Sequence, residues 1–163
     1  MSEQLHPHWR IQYIRSRKEP GAGSPFAALL AGNDDEANLI LHRGAHCFVI
    51  LNNSPYNPGH LMVLPNREVG ELAELTAAER AEMMDLLVRC QAVLQKVMSP
   101  AGFNMGLNLG KAAGAGIPTH LHFHVVPRWD GDHNFMPVIG DTRVLPQALA
   151  ELWARLKPAF VAA

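Results

Sequence analysis

The chain has 163 residues, a formal net charge of −1 and 48% hydrophobic residues. This length and composition predict one folded domain with a sizeable core and exclude a disordered chain. A balanced charge without a polybasic run argues against binding to nucleic acid by bulk electrostatics. We find no basic-then-apolar leader and no apolar run near the roughly 18 residues of a membrane span. Cys47 and Cys90 lie among apolar neighbours, as reduced cysteines do. We therefore expect a cytoplasmic protein without nucleic-acid or membrane partners.

The first half of the chain predicts an arm, a short helix and three strands. Residues 1–24 form the arm, which ends in a turn rich in proline and glycine. A short helix is expected over 26–31, with Ser24 as its possible cap. Runs of apolar and β-branched residues, separated by turn formers, then predict strands over 38–42, 46–51 and 60–64.

The second half begins with the strongest helix signal of the chain. Thr76-Ala77-Ala78-Glu79 is a capping box, in which the Thr hydroxyl and the Glu carboxylate satisfy free amides, and its helix should run to about Met98. A strand, a glycine-rich loop and a terminal helix are predicted over 103–109, 110–117 and 145–156. Short turns and one long helix between strands indicate an α+β fold: an antiparallel sheet of about five strands with the long helix packed on one face.

Three histidines, His120, His122 and His124, alternate with apolar residues just after the glycine-rich loop. Successive side chains of an extended strand point to opposite faces, so the three imidazoles should share one face and their apolar neighbours the core. Histidine is the usual acid, base, nucleophile and metal ligand of proteins. A neutral imidazole can attack phosphorus, and its neighbours can orient it, donate to phosphate oxygens or protonate a leaving group. Three histidines could also bind zinc.

This pattern, His-φ-His-φ-His-φ-φ with φ apolar, resembles the signature of the histidine triad (HIT) family of nucleotide-binding hydrolases and transferases. Further likeness lies in Trp9–Ile14, Asn57–Leu61, Gly106–Gly110 and Val125–Trp129. The resemblance implies a single HIT domain over 1–163 and a homodimer. The nucleotidyltransferase branch typically has Gln where this chain has His124, so the resemblance favours the hydrolase-like branches. The further segments look like those of bacterial diadenosine tetraphosphate phosphorylases and close relatives.

The resemblance also implies roles for particular histidines. His122 corresponds to the nucleophile, which forms a covalent nucleotidyl-histidine, and His120 and His124 flank it. A fourth histidine belongs to a Pro-Gly-His segment at the start of a strand, which here is His60. The separate roles of His120 and His124 stay open at this stage.

Six residues are candidates for binding the nucleotide. Asn52 corresponds to a residue that holds ribose hydroxyls, although it also suits a simple turn. Asn108 corresponds to an amide contact to phosphate. The loop that follows could bring backbone amides close to phosphate, and Lys111 could reach a polyphosphate tail or be solvated. Its candidate residues are Gly110, Lys111, Ala115 and Gly116.

We therefore expect an enzyme that acts on a small-molecule nucleotide without a metal or other cofactor. It should cleave dinucleoside polyphosphates through a nucleotidyl-histidine, by phosphorolysis or by hydrolysis. The acceptor stays open because the chemistry at His122 is the same for phosphate and for water. Many relatives also have Ser or Gln where this chain has 115–118, Ala-Gly-Ile-Pro, which removes side-chain donors from the loop. The alternatives are a purine nucleoside phosphoramidase of the same family, a zinc-binding protein and a non-catalytic nucleotide-binding protein.

Overall fold

The computed structural model of the protein describes residues 23–132 and 148–161. Most of the predicted arm therefore lies outside the described residues. The described part forms an α+β fold with one antiparallel sheet in the order β1-β2-β3-β5-β4. Its elements are the helices α1 (Pro25–Ala31), α2 (Ala77–Met98) and α3 (Leu149–Val161), and the strands β1 (Ile40–Arg43), β2 (Cys47–Leu51), β3 (Leu61–Pro65), β4 (Gly102–Gly106) and β5 (Phe123–Arg128). The predicted fold class is confirmed.

The long helix α2 covers one face of the sheet. Its capping box forms as predicted: the Thr76 hydroxyl accepts from the Glu79 amide at 3.2 Å, and the Glu79 carboxylate accepts from the Thr76 amide at 2.7 Å. Apolar side chains of α2 and α3 pack with the sheet into the main core, which also contains both cysteines as free thiols. The helix ends at Met98, and the next residue, Ser99, caps it in the left-handed conformation common at helix ends (φ 49°).

The other face of the sheet carries a smaller apolar cluster under α1. Alternate residues of β2 and β3 point to it while their neighbours enter the main core, so both strands are buried on both faces. Ser24 caps α1, as predicted. The cluster consists of Phe26, Ile40, Phe48, Ile50, Met62 and Leu64.

The histidine strand is shorter than predicted. Ladder pairing of β5 with β3 runs only from Leu61↔Val125 to Val63↔Phe123, so the strand begins at Phe123. Pro65 has no N–H to donate at the far end of β3, and its carbonyl accepts instead from the His120 ring. Pairing of β4 with β5 ends at Gly106↔His124, so β4 ends there rather than at residue 109.

The terminal helix extends past its predicted end at residue 156. An apolar stripe of Leu152, Leu156 and Phe160 is buried against the core and continues across Pro158. Packing of this stripe outweighs the hydrogen bond that Pro158 removes near the helix end. The predicted start at residue 145 lies outside the described residues. None of the described helices is long and apolar enough to cross a membrane.

Candidate functional site

Four histidines meet at the junction of β3 and β5. His60 directly precedes β3, and His120, His122 and His124 lead into and along β5. Pairing of Met62 with His124 brings the two segments side by side. The ring centroids of His124 lie 5.0 Å from those of both His60 and His122. The structure thus unites all four predicted histidines.

Gly59 has a backbone conformation that lets β3 begin at Leu61, close against the end of α2. Its φ of 81° lies in the left-handed region, and a Cβ there would lie 2.7 Å from the sulfur of Met98 at the end of α2. The next residue, His60, is fully buried and donates its backbone N–H to the Asn57 carbonyl at 3.1 Å. A larger residue at position 59 would displace the start of the strand and with it the His60 ring.

His122 has its proton fixed by one backbone contact. Its Nδ1 lies 2.8 Å from the carbonyl oxygen of His120. A carbonyl only accepts, so Nδ1 carries the hydrogen and Nε2 keeps its lone pair. Burial lowers the pKa of His122, so the ring is neutral near pH 7. This is the protonation state that a nucleophilic imidazole requires.

His60 and His124 form a second, directed chain of hydrogen bonds. The Tyr56 backbone N–H donates to Nδ1 of His60 at 3.1 Å, which makes that nitrogen an acceptor. Nε2 of His60 must then donate to Nδ1 of His124, at 2.9 Å. The hydrogen of His124 is left on Nε2, a buried atom with no partner among the described residues. His124 thus offers an N–H donor beside the His122 ring.

Burial keeps this pair of histidines neutral. It lowers the pKa of His60 to about 3 and that of His124 to about 4, and the neighbouring imidazoles add to the effect in both. A second charge in such a cluster would be repelled and poorly solvated. The site therefore enters a reaction with neutral rings whose donors and acceptors are assigned by their contacts.

His120 differs from the other two members of the triad. It is fully buried, and both ring nitrogens have protein partners: Nε2 donates to the Pro65 carbonyl at 2.8 Å, and Nδ1 lies 2.7 Å from the Ser24 hydroxyl. No ring nitrogen of His120 is left for a ligand. Of the roles considered for the outer histidines, only orientation of the centre suits His120, whereas His124 can donate.

Comparison with known proteins identifies a family domain in this chain. The HIT domain matches residues 34–131, which include all four histidines. The chain belongs to the HIT family. Among curated relatives of this HIT protein, an AP-4-A phosphorylase of Mycobacterium tuberculosis is 41% identical over 167 residues, covering 94% of this chain and 85% of the relative.

Two further relatives differ in coverage. An asymmetrical bis(5'-nucleosyl)-tetraphosphatase of Schizosaccharomyces pombe is 33% identical over 93 residues, covering 57% of this chain and 50% of the relative. The crystal structure of a Zn-bound histidine triad family protein from Mycobacterium smegmatis superposes with a TM-score of 0.67 at 25% identity, covering 84% of this chain and 92% of that one. The fold of this HIT protein is thus that of its family.

A cleft of about 400 Å³ opens beside His124, between β5, the edge strand β4 and the loop before β3. The ring of Tyr56, at its rim, stacks on His60 with centroids 4.8 Å apart. Such a volume suits part of a nucleotide. The cleft is lined by Tyr56, Asn57, Asn104, Met105, Gly106, Leu107, Asn108, His124, Val126 and Arg128.

Two of the predicted nucleotide-binding residues lie at the site. Asn108 lines the cleft. The amide nitrogen of Asn52 lies 3.3 Å from Nδ1 of His60, while its oxygen accepts from the Ser54 backbone N–H at 2.8 Å. Asn52 is therefore both a turn residue and a neighbour of the histidines, so the two interpretations of it are compatible.

The glycine-rich loop contributes fewer amides than its sequence suggests. Residues Lys111–Ala113 form a 3-10 turn between Gly110 (φ 75°) and Gly114 (φ 92°). The amides of Gly114 and Ala115 donate to the carbonyls of Lys111 and Gly110, at 3.0 and 3.2 Å, and so are not available to an anion. The Lys111 side chain and Gly116 are exposed, and Ala115 is buried.

The donor set does not fit a zinc ion. A zinc site needs three or four protein ligands. Contacts within the protein occupy both ring nitrogens of His120 and of His60, and one each of His122 and His124. Only the Nε2 atoms of His122 and His124 remain. Within residues 23–132 and 148–161, no group of three or more His, Cys, Asp or Glu residues is arranged to hold a metal ion.

Sequence reasoning missed three residues of the site. Ser24 contacts His120, and the Phe26 ring lies 5.6 Å from the His120 ring and 5.5 Å from the His122 ring, centroid to centroid. Phe26 was predicted only as part of a short helix, and Ser24 only as its possible cap. Nothing local in the sequence signals a contact across 96 residues. Tyr56, the third missed residue, contacts His60. Its position four residues before His60 was the one feature of the sequence that indicated such a contact.

Proposed function

We propose that this HIT protein cleaves dinucleoside polyphosphates of the diadenosine tetraphosphate type through a nucleotidyl-histidine on His122. One observation carries the proposal: the hydrogen bond from His122 Nδ1 to the His120 carbonyl, which leaves Nε2 as a lone-pair donor beside the unpartnered N–H of His124. The two ring nitrogens that remain for a ligand are thus one nucleophile and one hydrogen-bond donor.

This pair of atoms suits a two-step displacement. Nε2 of His122 attacks the α-phosphorus, a phosphorus–nitrogen bond forms, and the bond to the leaving nucleoside polyphosphate breaks. The Nε2–H of His124 donates to an oxygen that gains negative charge in this step. An acceptor then attacks the phosphoramidate and frees His122. Phosphate as the acceptor gives a nucleoside diphosphate, and water gives a monophosphate.

The relatives support this class of substrate. The Mycobacterium tuberculosis relative, which aligns with 94% of this chain, is an AP-4-A phosphorylase. The shorter match is to an asymmetrical bis(5'-nucleosyl)-tetraphosphatase. The longer and more similar match favours phosphate as the acceptor here.

The nucleotide-binding residues are part of the same proposal. Asn52, which adjoins His60, contacts the ribose, and Asn108, which lines the cleft, contacts phosphate. The exposed side of the loop holds the polyphosphate, with Lys111 as its cation. The loop residues assigned to this role are Gly110, Lys111 and Gly116. Ala115, the remaining candidate of the loop, is buried, and its amide already donates to the Gly110 carbonyl.

We further propose a homodimer that extends the sheet through β4, in the cytoplasm. β4 is an edge strand in the sheet order, and its sequence Gly102–Gly106 has no charged residue. Met105 on this strand is 41% exposed. Edge strands without charge or proline tend to pair with another strand.

The test is product analysis. Purified protein is incubated with diadenosine tetraphosphate, with and without millimolar phosphate, and the products are separated by chromatography. We expect ADP and ATP when phosphate is present. AMP and ATP, unchanged by phosphate, would identify a hydrolase. No cleavage of this substrate together with rapid cleavage of adenosine phosphoramidate would instead favour the phosphoramidase alternative.

A further inference from the structure

Ser24 directly precedes α1 and caps it, yet its hydroxyl contacts the triad. The residue is 3% exposed. Its backbone N–H donates to Oε2 of Glu68 at 2.8 Å, and its hydroxyl oxygen accepts from the Phe26 N–H at 3.2 Å. The same hydroxyl lies 2.7 Å from Nδ1 of His120. Ser24 therefore links the helix that covers the histidine face to the first histidine.

The contact at the other ring nitrogen of His120 decides which group donates the hydrogen bond between Ser24 and His120. Nε2 of His120 lies 2.8 Å from the Pro65 carbonyl, which only accepts, so Nε2 carries the hydrogen. Nδ1 is therefore an acceptor, and the Ser24 hydroxyl donates to it. The ring is held at both edges, by the cap of α1 and by the last residue of β3.

We propose that Ser24 is a positioning residue for the nucleophile, and this proposal rests on the function proposed above. By holding the His120 ring, the Ser24 hydroxyl fixes the His120 carbonyl, the group that accepts from Nδ1 of His122. If that carbonyl moves, the His122 proton is no longer confined to Nδ1. Nε2 then either carries the proton itself or directs its lone pair away from the phosphorus. Ser24 itself is buried and touches no reacting atom.

The setting of Ser24 agrees with this role. The Glu68 carboxylate accepts from the Ser24 N–H and from the Thr119 side chain, and these hydrogen bonds lower the pKa of Glu68. An anion thus anchors the Ser24 backbone beside the segment that leads into the triad. The Phe26 ring packs edge-on against His120, so α1 excludes water from these hydrogen bonds. A buried polar contact without competing water is strong and directional.

The competing explanation is that Ser24 only caps α1. Loss of a cap costs about 1 kcal/mol of stability. Ala28 supplies a matched control, because it is an exposed residue of the same helix. Ala28→Gly should weaken α1 by about 1 kcal/mol without touching His120.

The experiment compares wild type, Ser24→Ala, Ser24→Thr and Ala28→Gly by two readouts. Nitrogen-15 NMR of the histidine rings reports which nitrogen carries the hydrogen. Single-turnover kinetics report the rate at which the nucleotidyl-enzyme forms. In the wild type we expect hydrogen on Nε2 of His120 and on Nδ1 of His122. In Ser24→Ala the His122 signals should become a mixture of tautomers, and the rate should fall by about tenfold to a hundredfold with little change in KM. Ser24→Thr, which keeps the hydroxyl, and Ala28→Gly should stay within about threefold of wild type.

Three results would overturn the proposal. They are a wild-type His120 with hydrogen on Nδ1, a Ser24→Ala protein with wild-type His122 signals and rate, and an equal loss of rate in Ala28→Gly. If Ser24→Ala does not fold, Ser24→Cys, with its weaker donor, should give a smaller loss in the same direction, and an unchanged rate would count against the proposal. If wild type does not cleave the dinucleotide, the proposed function fails, but the NMR comparison still decides the role of Ser24.

Discussion

At the scale of single residues, the site depends on which ring nitrogen carries the hydrogen in each of the four histidines. Contacts to backbone groups fix three of these hydrogens: the Tyr56 N–H to His60, the Pro65 carbonyl to His120 and the His120 carbonyl to His122. The fourth, that of His124, follows from the hydrogen bond that Nδ1 of His124 accepts from His60. Each backbone group can only donate or only accept, so each fixes one tautomer. The chemically similar histidines thereby receive different roles, which their alternation along the sequence does not distinguish.

Substitution of His122 and His124 should separate the nucleophile from the donor. His122→Ala removes the attacking nitrogen and should abolish turnover of every substrate. His124→Ala removes the donor, which should slow cleavage of diadenosine tetraphosphate by about a hundredfold to ten-thousandfold. It should slow cleavage of a nitrophenyl ester of AMP far less, because that leaving group needs no stabilisation. Measurement of kcat/KM for both substrates checks this, with the exposed His46→Ala as the control. Equal losses for both substrates in His124→Ala would contradict the donor role.

The depressed histidine pKa values also predict how stability depends on pH. His60 and His124 have pKa values of about 3 and about 4 in the folded protein, against the ordinary 6.5. At pH values between the folded pKa and 6.5, each of these histidines binds a proton in the unfolded chain but not in the folded protein. The free energy of unfolding should therefore be highest above pH 6.5 and fall as the pH is lowered, by up to about 1.4 kcal/mol per pH unit for each histidine.

Urea unfolding between pH 7 and pH 5 tests this dependence. Glu79, whose pKa is lowered to about 2 mainly by its hydrogen bond from Arg67, loses its contribution only below about pH 4.5 and does not interfere. The double variant His60→Gln, His124→Gln should show a shallower slope than wild type. A wild-type slope in the double variant would mean that other groups cause the effect.

At the scale of elements, β3 determines where the site is built. Gly59 lets the strand start against α2, and Pro65 ends its ladder so that His120 and His122 leave the regular sheet. The carbonyl of Pro65 then accepts a hydrogen bond from the His120 side chain rather than from a neighbouring strand. Gly59, with its left-handed backbone, and Pro65, which has no N–H, thus set the two ends of the strand that directly follows the fourth histidine, His60.

Substitution of Gly59 should therefore damage both stability and the site. Gly59→Ala places a Cβ at a left-handed φ and against Met98, and should cost about 1–3 kcal/mol of unfolding free energy. Gly102→Ala is the matched control, since nothing lies within 4 Å of a Cβ at that position. Urea unfolding of both variants measures the difference. A Gly59→Ala protein as stable as Gly102→Ala would show that the left-handed conformation is not required.

At the scale of the whole molecule, the sheet separates two environments. One face is closed by α2 and α3 over the main core, and the other bears the small cluster, α1 and the histidines. The cleft beside His124 reaches the edge strand β4. In a homodimer formed through that edge, the partner would therefore lie close to the nucleotide.

The proposed dimer predicts a mass twice the 17.9 kDa of the chain. Sedimentation equilibrium at micromolar concentration measures this mass. Met105→Lys places a charge on β4 and should yield monomers, because an edge lysine opposes strand pairing. A wild-type protein that sediments as a monomer, or a dimer unaffected by Met105→Lys, would place the interface elsewhere or remove it.

The sequence by itself determined the features that depend on near neighbours. The capping box fixed the start of α2, and alternation predicted that Phe123 and Val125 face the core while the histidines face away. The strand pattern predicted the α+β sheet. These features follow from local hydrogen bonding and from the periodicity of strands and helices, both of which are visible in a short window of residues.

Only the tertiary structure decided which groups meet and in which protonation state. His60 and His124 are 64 residues apart, and Ser24 and His120 are 96 residues apart, so no local pattern pairs them. Packing of Phe160 carried α3 past Pro158, against the local preference of proline. The tautomer of His120 depends on the carbonyl of Pro65, 55 residues away, and that of His124 depends on the distant His60 ring. A long-range contact is selected by the free energy of the whole core, which a short stretch of sequence does not contain.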